Sequence, residues 1–213
     1  MLNSFNAIIF DMDGTLVDSE GAWVRLNSAL VAKFGDGKKL VNTFGMPAIE
    51  SARTIVQFHK ISLTPEEFAR QQHEAIIEVY RDGIELMPCA KDAVISAHSQ
   101  GLKLAVATSS RRELLDAFLE HQQFFRDVFL ITVTGPEVAR GKPAPDIFIE
   151  TAKRLGVAPS ECLVFEDSVF GVQAAKAAGM YCAAIVDERY NKREDFVGVA
   201  DEVFGSLCEY VRA

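Results

Sequence analysis

Ala7-Ile8-Ile9-Phe10-Asp11-Met12-Asp13-Gly14-Thr15 sets the topology of this chain. Four consecutive apolar residues closed by an acid and then a glycine predict a short strand buried on both faces. Strands of that kind belong to parallel sheets, in which the chain returns through helices. From Met87 onward the sequence supplies those returns, running helix, glycine, strand three times. Ser96–Gly101 leads into 102–107, Ala152–Gly156 leads through a Pro159 loop into Cys162–Phe165, and Ala174–Gly179 leads into Tyr181–Val186. A glycine just past a helix gives it a left-handed stop, and the alternation predicts right-handed βαβ crossovers. Phe129–Val133 and Glu202–Phe204 are further strands in this reading.

Between the first strand and Met87 the pattern is helical throughout. A first helix, capped by Asp18 or Ser19, carries Trp23, Leu26, Leu30, Val31 and Phe34. A second follows Pro47, and a third opens at Thr64-Pro65-Glu66-Glu67, where Thr64 caps, Pro65 takes the first helical position and Glu67 completes a capping box. The expected architecture is a doubly wound, Rossmann-like α/β core over residues 1–17 and 86–213, with an all-α insertion over 18–85. Hinges are expected near 15–19 and 82–87, where Asp82-Gly83 interrupts the helix.

Composition narrows the partners. The chain has 213 residues, enough for one α/β domain with a small inserted lobe. Its 22 Lys and Arg against 30 Asp and Glu leave a net charge of −8, which argues against nucleic acid and anionic membranes. Acting on a phosphate compound would then require local positive charge from a lysine or a metal. No apolar stretch is long enough to span a membrane, and Met1–Asn6 lacks a basic start. Cys89, Cys162, Cys182 and Cys208 form no C-x-x-C pair and read as buried, reduced thiols. With no signal peptide read at the start, a cytoplasmic protein is expected, and a monomer.

In an open parallel sheet, ligands bind at the carboxyl ends of the strands. Those ends carry Asp11-Met12-Asp13-Gly14-Thr15, Thr108-Ser109-Ser110, Gly141-Lys142-Pro143 and Glu166-Asp167-Ser168. Acids, hydroxyls and one lysine thus converge. Phe10–Asp18 resembles the first motif of the haloacid dehalogenase superfamily, in its Mg²⁺-dependent phosphatase branch. Thr108, Lys142 and Glu166-Asp167 fall where its second, third and fourth motifs stand, and the insertion resembles that family's helical cap.

The resemblance implies a reaction through an aspartyl phosphate. Asp11 is the expected nucleophile, since a carboxylate can form an acyl phosphate and split the hydrolysis in two. Asp13 is the expected general acid and then base. Thr108 and Lys142 complete the catalytic set; Gly14, Thr15, Thr108, Ser109 and Lys142 are expected to bind the phosphoryl group. Mg²⁺ is the expected cofactor, held by Asp11, the carbonyl of Asp13, Glu166 and Asp167. The cap is expected to select the substrate and exclude water on closing.

Leu86-Met87-Pro88, the run from Pro136 to Phe148 and Cys162–Asp167 frame the core as in a group of small-molecule phosphatases that includes pseudouridine 5′-phosphatases. The expected substrate is a small phosphate monoester of a nucleoside, glycerol or a sugar. A beta-phosphoglucomutase-like mutase is the alternative, against which Gly45-Met46-Pro47-Ala48 lacks the arginine typical of that group's cap. A non-catalytic phosphoacceptor or metal sensor is a third possibility, against which Asp13 counts. Other residues have plainer readings. Asp18 and Glu20 serve the helix start, His59, His73, His98 and His121 lack ligand spacing, and Phe118, Phe124, Phe125 and Phe129 read as core.

Overall fold

The structure, a computed structural model, describes residues 5–41, 43 and 48–212. It divides into two compact units: Met1–Asp18 with Glu85–Ala213, and Ser19–Ile84. Gly45-Met46-Pro47 and the first four residues lie outside the described residues.

Among its described residues the first unit holds six parallel strands: β1 (Ala7–Phe10), β2 (Lys103–Thr108), β3 (Ile131–Thr134), β4 (Cys162–Glu166), β5 (Tyr181–Ile185) and β6 (Glu202–Phe204). Their order is β3-β2-β1-β4-β5-β6. β1 therefore lies between β2 and β4, where the winding reverses, and Phe10 is level with Val106 and Phe165. That register brings the residues following β1 beside the ends of β2 and β4, the crevice such sheets offer a ligand.

Both sheet faces are covered, as the apolar run predicts. Ile9, Ala105, Val164 and Cys182 pack with Phe148 and Ala152 of α7 (Asp146–Leu155) and Ala174 and Ala175 of α8 (Val169–Ala177). Phe10 points the other way, stacking on Phe165 and meeting the edge of Phe129. Each fully buried ring contributes about 1.5–3 kcal/mol. Phe118, Phe125 and Phe129 do form core contacts. The third strand starts later than expected, because the helical turn Gln123–Val128 runs into Phe129, whose N–H donates to the Phe125 carbonyl.

The second unit is helical: α1 (Ser19–Phe34), α2 (Ala48–Phe58) and α3 (Pro65–Gly83). Leu30, Val31, Ala52, Ile55 and Phe68 form its core. The Thr64 capping box is present, with Glu67 N–H donating to Thr64 Oγ1 at 3.1 Å and Thr64 N–H to Glu67 Oε2 at 2.9 Å. Two buried polar bonds fix the packing. Gln72 donates to Asn27 at 2.6 Å. His59, fully buried, accepts from Val41 N–H at Nε2, so its proton sits on Nδ1 and is donated to Asp36 at 2.8 Å.

The expectation of four reduced thiols is corrected. Cys89, at the start of α4 (Ala90–Ser99), is disulfide-bonded to Cys208 in α9 (Leu207–Arg212), 119 residues away. The two helices pack together, and no sequence spacing announces a pair so far apart. Cys162 and Cys182 are free and buried, and burial pushes the Cys162 thiol up to about 11. Among the described residues, no helix is long and apolar enough to cross a membrane.

Candidate active site

β1 delivers Asp11 to the reversal point of the sheet, with its N–H bonded to the Phe165 carbonyl of β4 at 2.9 Å. Asp11 is 4% exposed. Lys142, from the loop after β3, reaches it: Nζ donates to Asp11 Oδ1 at 2.6 Å, to Glu166 Oε1 at 2.5 Å and to the Ala107 carbonyl at 3.3 Å. Opposite charges hold the lysine protonated despite burial, which pushes the other way.

Glu166 ends β4 and is 1% exposed. Its second oxygen accepts from Ser168 N–H at 2.8 Å and Ser168 Oγ at 2.9 Å, while Ser168 Oγ caps α8 by accepting from Gly171 N–H at 3.0 Å. The capping role open to Asp167 thus falls to Ser168. Asp167 instead turns toward Asp11 and Glu166; one oxygen from each of the three lies within 4.8 Å of the others.

Two glycines make this crowding possible. Gly14 has a positive φ of 76°, and a Cβ there would lie 2.0 Å from Asp167 Oδ2. A Cβ on Gly171 would lie 1.8 Å from Glu166 Oε1. Gly171→Ala is therefore expected to displace Glu166, weaken divalent-cation affinity about 10–100-fold and cost about 1–3 kcal/mol of stability. Calorimetric titration with Mg²⁺ and thermal melting check both effects; unaltered affinity would show that Glu166 is not needed for the cation.

Three carboxylates face one ammonium. Burial, followed by the charge of Glu166, pushes both Asp11 and Asp167 well above the usual carboxylate range, and Lys142 only partly offsets it. Hard oxygen donors gathered this closely fit a hard divalent cation, whose charge would relieve their mutual repulsion.

Beside this cluster stands a second group. Asp13 Oδ2 accepts from Ser110 Oγ at 2.6 Å and from Thr108 Oγ1 at 3.2 Å. Asp13 is close enough for its charge to act on Asp11. The turn carrying it is fixed by Gly14 N–H to the Val17 carbonyl at 2.9 Å and Leu16 N–H to the Met12 carbonyl at 2.9 Å. Thr15 is fully buried, and its hydroxyl has no hydrogen-bond partner among the described residues. Ser109 is exposed. Asp18 pairs with Arg189 at 3.1 Å.

The structure therefore gathers Asp11, Lys142, Glu166 and Asp167 in one cluster and Asp13 with Thr108 in the other. Ser110, Ser168, Gly171 and Asn191, whose side chain donates to the Asp167 carbonyl at 3.0 Å, were not anticipated as site residues. Gly171 carried a usable signal, since glycine inside a helix is costly and marks close approach.

The chain is 36% identical over 183 residues to the fructose-1-phosphate phosphatase YqaB of Escherichia coli, spanning 84% of this chain and 96% of that protein. It is 33% identical over 219 residues to "Probable pseudouridine-5'-phosphatase" of Drosophila melanogaster, spanning 99% and 93%. Similarity at 32% identity extends to the bifunctional riboflavin kinase/FMN phosphatase of Arabidopsis thaliana, of whose length the match covers 54%. Among solved structures, CbbY from Rhodobacter sphaeroides in complex with phosphate matches with a TM-score of 0.76 and 30% identity over 96% of both chains. A family model described as a haloacid dehalogenase-like hydrolase covers residues 5–179, a span that includes every acid and the lysine of the cluster. The chain belongs to the haloacid dehalogenase-like hydrolases.

Proposed function

We propose that the protein is a Mg²⁺-dependent phosphatase that hydrolyses a small nucleoside, glycerol or sugar phosphate through a phosphoryl group carried on Asp11. The observation that carries this reading is Lys142, buried between Asp11 and Glu166 with Asp167 alongside. That arrangement sets an ammonium beside the candidate nucleophile and next to a site for anionic substrate. The relatives named as phosphatases of fructose 1-phosphate and pseudouridine 5′-phosphate support the substrate class.

Asp11, Glu166, Asp167 and the Asp13 carbonyl would hold a Mg²⁺ ion, which would supply charge neutralisation for the phosphoryl oxygens. Asp11 attacks phosphorus as the bond to the leaving oxygen breaks, and Asp13 gives that oxygen its proton. Asp13, now a carboxylate, takes a proton from water, whose oxygen attacks phosphorus and frees Asp11 and inorganic phosphate. Lys142 and Thr108 hold the transferring group. The helical unit takes the role of the family's cap.

Phosphate release from a panel of monoesters, with Mg²⁺ and with excess chelator, tests the proposal. Repeated turnover lost on chelation is expected. One phosphate retained per chain without release would point to a phosphoacceptor sensor, and transfer to a second sugar hydroxyl would point to a mutase.

A further inference from the structure

Thr108-Ser109-Ser110 precedes α5 (Arg112–His121), and a serine just before a helix ordinarily caps it. Here it does not. The cap position of α5 is Arg111, without a side-chain cap bond, and the Ser110 hydroxyl is spent on Asp13 instead. At 2.6 Å it is the shorter of the two hydroxyl contacts that Asp13 Oδ2 accepts.

The loop is built to hold that hydroxyl in place. Ser110 N–H donates to Thr108 Oγ1 at 3.0 Å. On the other side, a Cβ at Gly135 would lie 2.6 Å from the Ser109 carbonyl oxygen, so the glycine after β3 lets the two loops close together. Ser110 itself is half-buried.

The Thr108 hydroxyl has one proton and two claims on it. It donates to Asp13 at 3.2 Å, and in the proposed mechanism it also holds the phosphoryl group. When phosphate takes that proton, Asp13 keeps the shorter bond from Ser110. We propose that Ser110 is a positioning residue for Asp13, holding its carboxyl beside the leaving oxygen while Thr108 turns to the phosphoryl group. This rests on the assignment of Asp13 as general acid and base.

Leaving groups separate this role from phosphate binding. An alkoxide needs a proton to depart, whereas nitrophenolate leaves with little help. The experiment measures kcat/KM for glycerol phosphate and p-nitrophenyl phosphate with the Mg²⁺-loaded protein, alongside competitive inhibition by inorganic phosphate. Ser110→Ala is expected to lower kcat/KM on glycerol phosphate about ten- to hundredfold, the scale of one lost hydrogen bond to a charged group. The loss on p-nitrophenyl phosphate should be about a tenth as large, since the general acid–base contribution is what the variant removes. Ser110→Thr, which keeps the hydroxyl, should restore the ratio between the two substrates. Equal losses on both substrates with weaker phosphate inhibition would make Ser110 a phosphate ligand and overturn the proposal, as would no loss on either. Asp13→Asn run in parallel distinguishes the two levels: if it loses turnover while Ser110→Ala does not, only the Ser110 role fails. If Asp13→Asn turns over glycerol phosphate normally, the acid–base assignment fails and the Ser110 role with it.

Discussion

Asp11→Asn is expected to lower turnover on the order of 10⁴–10⁶-fold, the scale of losing a covalent nucleophile, and yet to make the metal-free protein more stable. The two effects come from the same surroundings. Asp11 lies with Glu166 and Asp167 around a single buried ammonium. Burial, outweighing the pull of Lys142, holds its carboxyl well above the ordinary value of 3.8. A carboxyl raised on folding binds more protons in the native state than in the unfolded one, so stability falls as pH rises from 3.8 through the folded value. At neutral pH the carboxyl therefore works against folding, and asparagine removes that cost. With chelator present, the variant should melt about 2–4 °C higher, corresponding to about 1 kcal/mol for a chain of this size. The gain should grow from acid to neutral pH. Saturating Mg²⁺ should reverse the order, because the wild-type carboxylate is then matched by charge. A variant that melts lower than wild type in chelator would show that the Lys142 contact outweighs the crowding of acids.

How much of this was legible beforehand follows from range. β1 is a contiguous apolar run, and its burial on both faces follows from composition alone. Asp11, Lys142, Glu166 and Asp167 stand at strand ends, so one topological rule brings residues more than a hundred positions apart into a single crevice. The Thr64 capping box spans four residues and was readable as a local pattern. What failed was set by tertiary approach. The Cys89–Cys208 bond depends on α4 meeting α9, which no spacing encodes. Ser168 and Ser110 sit at similar strand-to-helix junctions, yet the first caps its helix and the second does not. The sequence offers serine at both places, and only the position of an acid across the crevice decides where each hydroxyl points. Thr15 is fully buried with a hydroxyl that has no partner among the described residues, a placement that no local pattern announces.

Lys142→Met should also lose activity while moving metal-free stability in the opposite direction from Asp11→Asn. Methionine keeps much of the aliphatic stem but not the ammonium that joins Asp11 at 2.6 Å and Glu166 at 2.5 Å. The lysine side chain is 7% exposed, so water cannot take its place freely. Removing one partner of a buried ion pair leaves uncompensated charge and costs about 3–5 kcal/mol, or roughly 6–20 °C in melting temperature at this chain length. Turnover should fall at least about 10²–10³-fold, the scale of one preorganised charge or donor at a transition state. Acidification should narrow the stability gap, because protonated carboxyls no longer need the ammonium. Mg²⁺ should narrow it too, but without restoring turnover. In the double variant the penalties should not add, since Asp11→Asn already removes one of the carboxylates that Lys142 balances. Differential scanning calorimetry of the four proteins, with chelator and with Mg²⁺, reads all of this directly. Equal melting of wild type and Lys142→Met in chelator would mean that the acids are neutral without the lysine, and the charge balance proposed for the site would have to be abandoned.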